Sequence, residues 1–299
     1  ERLAPLRDAC ASLEENARAT DRENIVAVLS KRRTLELRER LDQAHLPQTV
    51  LCTSVAEIEH AAAELHAQGY HSLVLKAEFG AAAQGNRCLF DQTPVERARE
   101  WIDARLDEGQ AILVEAWLDR VFDYSAHYDR QFIRDGDTSP SVKFRGLTRM
   151  ITNQRGQWKM SLAGAKFSSG LPRKIAAHME RSNGAISTLR TALPEFLDTL
   201  FAPFDYYGPI GIDAFVWRDP KTQEHRDQLV VEVNGRHTMG RVALEFQKQI
   251  AKNSVLAFAI EAKNATPQFP DKRIIIDSSR LNTRWQSSIY KLKAWPTIG

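Results

Sequence analysis

The chain has 299 residues, 43% of them hydrophobic, enough for one large domain or two modest ones. Its 41 Lys and Arg against 38 Asp and Glu leave a net charge of +3, and with no long basic run this excludes a dedicated nucleic-acid-binding protein. No apolar stretch approaches the roughly 18 residues of a membrane span and no signal peptide is visible; Cys10, Cys52 and Cys88, scattered and odd in number, read as reduced thiols of a cytoplasmic protein rather than a disulfide framework or metal site.

Residues 1–23, rich in Ala, Arg and Glu, have helical spacing, and NIVAVL at 24–29 reads as a short strand. Ser30 is placed to cap the amphipathic helix RTLELRERLDQA, which ends before Pro47. A short strand at 49–52 leads to Ser54, which opens a second helix closed by Gly69. Next comes the apolar strand HSLVLKAEFG with Lys76 inside it, then the small-residue loop Gly80 to Asn86, expected to be the mobile tip of a hairpin whose second strand is 87–90. A helix over 94–106 and a buried strand over 111–118 follow. The alternation in DYSAHYDRQF at 123–132 predicts a half-exposed strand, and 142–151 with 157–162 predict an antiparallel pair joined at 153–156. Helix is expected from 172 to about 200 with a break near Asn183 and Gly184, and again from about 241 to 261; IIID at 274–277 reads as an edge strand. Helices alternating with largely antiparallel strands give an α+β fold class.

The most informative stretch is 208–240. Two apolar runs, 210–217 and 228–233, flank a polar loop and read as a β-hairpin. Side chains alternate across a strand, so Glu232 and Asn234 share a face, and pairing at about 4.8 Å can set Asp213 beside Glu232. Two facing carboxylates cost free energy unless a cation sits between them, and a hard divalent ion takes such oxygen donors together with phosphates. Arg236 projects two residues beyond Asn234, and the helical pattern that begins after Gly240 would offer its N-terminus to an anion. From spacing alone, a solvated hairpin with a polar network reads equally well.

In order along the chain stand a helix-start lysine in VLSKRRT, a strand lysine in LVLKAEFG before a glycine loop, an acidic strand end in EAWL, and GIDAFVW paired with VVEVNGR. Together these resemble the ATP-grasp superfamily over about residues 24–255. The resemblance implies two α+β subdomains with antiparallel sheets clamping ATP and Mg2+ (or Mn2+). It also implies an acyl phosphate formed on a carboxylate before an amine attacks. Carried over by position, Lys31 and Lys76 would meet the phosphates, although a solvated helix-start cation is the simpler reading of Lys31. Gly80 and Gly85 match the closing loop, where Ala81, Ala82 and Ala83 replace the usual extra glycines. Glu115, Ala116 and Leu118 match the segment that meets adenine, and Asp123 is assigned to the ribose with Asp119 as its rival. Asp213, Glu232 and Asn234 would be the metal ligands, and Arg236 would stabilise charge on the transferring phosphoryl. Arg149 is placed in the substrate site, Lys166 and Ser168 near the cleft mouth, and His237 is expected to be packed.

The boundaries so implied are an N-terminal segment 1–46, a nucleotide-clamping subdomain 47–118, a metal and substrate subdomain 119–265 and a tail 266–299. The expected partners are a small-molecule carboxylate and an amine, with no nucleic acid and no membrane; a homodimer is allowed. A kinase acting on a hydroxyl, or a nucleotide-binding regulatory module, shares the resemblance. Because the first residue is Glu and the superfamily carries a further N-terminal α/β domain, that domain is expected to be missing from this sequence or supplied by another subunit.

Overall fold

A computed structural model describes residues 22–41, 46–80, 86–131, 141–250, 254–262, 273–275 and 285–296. The expected helix over 1–21, Cys10, the loop tip with Gly85, and residues 276–277 of the expected edge strand lie outside the described residues.

Two antiparallel sheets organise the chain. The smaller comprises β1 (Val50–Cys52), β2 (Leu73–Ala77), β3 (Asn86–Leu89) and β4 (Ile112–Ala116), in the order β1-β4-β2-β3. The larger has eight strands: β5 (Asp119–Gln131), β6 (Ser141–Thr152), β7 (Trp158–Ala163), β8 (Gly208–Arg218), β9 (His225–Asn234), β10 (Val255–Ala262), β11 (Arg273–Ile275) and β12 (Trp285–Leu292). Their order is β11-β12-β10-β7-β6-β5-β8-β9.

Ser54 caps α3 (Val55–Ala67) by accepting the Glu57 N–H at 3.3 Å, and Gly69 ends it in the left-handed conformation at φ 96°. This helix buries Ile58, Ala61, Ala62 and Leu65 against the small sheet, together with α4 (Arg99–Asp107). Phe215 and Trp217 of β8 join the same core, so the small sheet is seated on the large one. On the far face of the large sheet lie α5 (Arg173–Glu180), α6 (Ala185–Thr191) and α7 (Leu193–Phe201), which bury Met179, Leu189, Leu197 and Phe201 against Tyr124, Tyr128 and Ile212. The near face is covered in part by α8 (Met239–Ile250) through Ala243 and Leu244.

Four expectations are corrected. NIVAVL is not a strand but most of helix α1 (Arg22–Leu29): only Val28 reaches the core, while Ile25, Val26 and Leu29 stay exposed, so tertiary packing outweighs the β-branched run. The helix expected to reach 261 stops by Ile250, and β10 follows, paired along its length with β12 and over 256–259 with β7. β5 is not half-exposed, because α5 to α7 cover one face while the cleft and α8 cover the other. The tail supplies β11 and also β12, a strand the sequence did not reveal.

One irregularity matters for the site. β8 and β9 pair at Asp213↔Glu232 and again at Phe215↔Gln228, so three residues of β9 oppose one of β8. The displaced Val230 and Val231 carbonyls accept from Arg38 of α2 (Arg32–Arg40) at 2.6 and 3.3 Å, and Thr34 Oγ1 accepts the Val233 N–H at 3.1 Å. Arg38 also donates to Thr49 Oγ1 (2.7 Å) and Glu115 Oε1 (3.2 Å). Arg38→Ala is expected to lower stability by about 3 kcal/mol, because it leaves buried carbonyls and a buried carboxylate short of a partner. Arg38→Lys should not restore it, since an ammonium lacks the planar fork. Urea unfolding of both variants checks this.

Candidate active site

The cleft between the sheets has a volume of about 240 Å³. Its metal-binding candidates sit where strand alternation requires. Asp213 stands opposite Glu232, and Asn234 opposite Gly211, so all three oxygen-bearing side chains share the cleft face. Gly211 is needed there: a Cβ would lie 2.6 Å from Thr238 Cγ2. Asp213 Oδ1 accepts from Ser125 Oγ at 2.6 Å and its Oδ2 from Asn234 Nδ2 at 3.2 Å. Arg236 in turn donates to Asn234 Oδ1 at 2.9 Å. Burial, then the facing Glu232, push the Asp213 carboxyl up to about 7, against the pull of Ser125, Arg236 and Asn234.

Across the cleft, Lys76 on β2 donates to Glu115 Oε2 on β4 at 2.7 Å, with Arg38 on the other carboxylate oxygen. Burial raises the Glu115 carboxyl, but Arg38 and Lys76 outweigh it and hold the group below its usual range. Lys31, also buried, lies 3.3 Å from Glu232 Oε1 and donates to the Gly80 carbonyl at 3.3 Å; neither Lys31 nor the exposed Gly80 is among the residues lining the cleft. Ser30 does not cap α2 with the usual geometry, yet its Oγ accepts the Arg32 N–H at 3.2 Å and donates to Glu78 Oε1 at 2.6 Å. The Glu78 carbonyl accepts the Lys31 N–H at 3.1 Å, and its carboxylate takes Arg32 Nε at 2.7 Å. Glu78 thus anchors the segment that carries Lys31.

Ala116, Trp117 and Leu118, which join the two sheets, line the cleft beside Phe215 and Val231. Asp123 lines it too, accepting from Thr152 Oγ1 at 2.8 Å, with Arg120 at 3.5 Å; burial raises its carboxyl above the usual range. Asp119 is exposed and paired with Arg218 at 3.9 Å and, unlike its neighbours Leu118 and Arg120, is not among the residues lining the cleft.

The start of α8 is fixed from behind. Thr238 accepts the Arg241 N–H at 3.3 Å and meets His127 Nδ1 at 3.3 Å, while His127 Nε2 meets Thr148 Oγ1 at 2.8 Å. Arg241 pairs with Asp129 at 2.5 Å, and Arg145 reaches the same carboxylate. Gly240 packs so closely that a Cβ would lie 2.6 Å from the His127 ring.

Four of the residues singled out in the sequence lie elsewhere. Arg149 faces away from the cleft: its guanidinium donates to the carbonyls of Phe167 and Ser169 and stacks 3.9 Å over Trp295, and burial brings it down to about 10. It is a fully buried support for that loop. Lys166 and Ser168 line a separate cavity against α5 and α6, with Ser168 bonded to Glu180. His237 is exposed rather than packed and is not among the residues lining the cleft. Arg38, Glu78, Ser125 and His127 were missed; a buried acid two residues after Lys76 and polar residues alternating along β5 were the available signals.

No protein-family model matches the sequence, and no curated protein does. Solved structures do match. N5-carboxyaminoimidazole synthetase from Staphylococcus aureus, complexed with ADP, superposes with a TM-score of 0.54 at 12% identity, over 91% of this chain and 69% of that one. Carboxyaminoimidazole ribonucleotide synthase from Aspergillus clavatus, complexed with ATP, gives 0.54, 12%, 91% and 69%. Biotin carboxylase from Campylobacter jejuni, in a β-γ-ATP complex, gives 0.52, 14%, 89% and 63%. The chain has the ATP-grasp fold.

A pH dependence follows from His127. Burial, then Arg241, bring its imidazole down to about 3 from 6.5. The unfolded chain takes this proton near 6.5 and the folded chain does not, so the stability His127 contributes is complete above 6.5 and is lost as pH falls from there toward 3. The slope is about 1.4 kcal/mol per pH unit. Chemical unfolding between pH 7 and 5 should show it, and His127→Gln should remove it.

Proposed function

We propose that the chain is an ATP-dependent ligase that joins a small-molecule carboxylate to an amine through an acyl phosphate, releasing ADP and phosphate. The observation that carries the reading is the face shared by Asp213, Glu232, Asn234 and Arg236, set across the cleft from Lys76. The nucleotide complexes of the matching structures support it.

The donor set fits a magnesium or manganese ion. Two carboxylates and an amide oxygen on one strand face are hard ligands, and the Asp213 carboxyl is raised by burial first and by the facing Glu232 second, a cost that a bound cation relieves. Asp213, Glu232 and Asn234 would hold the ion; when bound it neutralises phosphate oxygens. Lys76, oriented by Glu115, and Lys31, anchored through Glu78, would supply further positive charge to the phosphates. Ala116 and Leu118 offer backbone groups to the adenine edge, and Asp123 a carboxylate to the ribose hydroxyls.

In the first step a substrate carboxylate oxygen bonds to the γ-phosphorus, and the bond from that phosphorus to the β–γ bridging oxygen breaks, its electron pair leaving with ADP. Arg236 stabilises the charge on the transferring group. No base is needed, because a carboxylate is already ionised near neutral pH. The amine lone pair then bonds to the acyl carbon, the carbon–oxygen bond to phosphate breaks, and the amine proton passes to water. A kinase acting on a hydroxyl would need an acid or histidine beside it as base, and among the described residues the cleft is lined by carboxylates and by no histidine.

ADP release in the presence of magnesium, carboxylic acids and hydroxylamine should yield hydroxamates. Glu232→Ala should lower turnover by about 10²-fold or more with the far-UV circular dichroism unchanged. Full activity in that variant, or ADP formed with alcohols but not acids, overturns the assignment.

A further inference from the structure

Lys31 does not line the cleft, yet its ammonium reaches one of the acids that do. Nζ lies 3.3 Å from Glu232 Oε1 and 3.3 Å from the Gly80 carbonyl. The approach is set by the backbone. The Lys31 N–H donates to the carbonyl of Glu78, the residue after β2, at 3.1 Å, and the Lys31 carbonyl accepts the Thr34 N–H at 3.0 Å. Thr34 Oγ1 in turn accepts the N–H of Val233, the residue after Glu232, at 3.1 Å. The first turn of α2 is thus bonded both to the end of β2 and to β9, and what remains adjustable is the long, flexible stem of Lys31.

The two lysines are held with different firmness. Lys76 sits 2.7 Å from Glu115, whose other oxygen takes Arg38, an ordinary length for a charge-assisted bond. Both contacts of Lys31 are longer, and the Glu232 side chain keeps 25% of its surface exposed against 8% for Lys31. Glu232 therefore has the ammonium on one side and the cleft on the other. A divalent ion on that carboxylate would stand close to a cation that repels it. Charges of +1 and +2 about 4 Å apart weaken binding by more than about tenfold even at the dielectric of water. Triphosphate oxygens remove the conflict, because they offer the ammonium more negative charge than one shared carboxylate.

We propose that Lys31 sets the order of binding at this site: its ammonium holds Glu232 against free divalent ions and gives it up to phosphate oxygens, so that the ion enters together with the nucleotide. This rests on the ligase reading and adds to it the regulation of the metal site.

The test titrates the full chain with Mn2+ in the absence of nucleotide and reads the free ion by electron paramagnetic resonance. Lys31→Gln removes the charge and keeps a donor for the Gly80 carbonyl; it should bind Mn2+ about tenfold more tightly than the unaltered chain, or better. Lys31→Met should gain as much, so that the result does not hang on the folding of one variant, while Lys31→Arg, which keeps the charge, should not gain. Adding Glu232→Gln to Lys31→Gln should abolish the gain, which places it at this carboxylate. No gain in either neutral variant, an equal gain in Lys31→Arg, or a gain that survives Glu232→Gln overturns this inference, and the ligase reading stands if the unaltered chain still yields hydroxamate and ADP from Mg-ATP. An unaltered chain that binds neither Mn2+ nor Mg-ATP overturns both.

Discussion

Glu115 is a carboxylate almost without water, and two cations from different parts of the chain keep it ionised. Lys76 comes from the neighbouring strand of the small sheet, and Arg38 from the helix that packs on β9 of the large one. Burying a single charge would be prohibitive, and a matched set with satisfied geometry is tolerated. The fork of Arg38 reaches Val230, Val231, Thr49 and Glu115 together, so the distance between the sheets at the cleft is fixed by hydrogen bonds and not by apolar contact alone. The placement of Lys76, of the segment that joins the sheets, and of the β9 acid all follow from that tie.

The opposite wall has the contrary electrostatics. Asp213 and Glu232 face each other with Lys31 and Arg236 near, and burial first, then the facing Glu232, lifts the Asp213 carboxyl to about 7. One cluster of acid is balanced within the protein and acts as scaffold; the other is left short of positive charge and suits a cation brought by a ligand. The balanced Asp129, between Arg145 and Arg241, has the scaffold role again behind α8.

What the sequence disclosed follows the same division. The Asp213, Glu232 and Asn234 face was legible because strand period and hairpin pairing are local rules, and the two runs lie within one connection of each other. Ser54 and Gly69 were legible as helix ends for the same reason. Arg38 was not: apart from Thr49, 11 residues on, its partners lie 77 to 193 residues away, and nothing in an amphipathic helix says which of its arginines turns inward. NIVAVL misled because its β-branched residues favour a strand, while tertiary context buries only Val28. Residues 255–262 misled in the opposite sense, since alanines favour helix and only pairing to β7 and β12 makes them a strand. Arg149 looked like a substrate contact because alternation gives two faces and not which of them is the cleft.

The displaced stretch of β9 has a bearing on how this hairpin can change in length. Between the pairs Phe215↔Gln228 and Asp213↔Glu232, β9 has two residues more than β8, and because that surplus is even, both flanking pairs keep their side chains on one face. Insertion or loss of a single residue there would exchange odd for even, turning Glu232 toward the apolar layer under α7 and Val233 toward the cleft. Loss of two would preserve parity but strip Arg38 of its carbonyl acceptors. A change of length in this ribbon is therefore best accommodated at the exposed residues 220–224, where no parity is at stake.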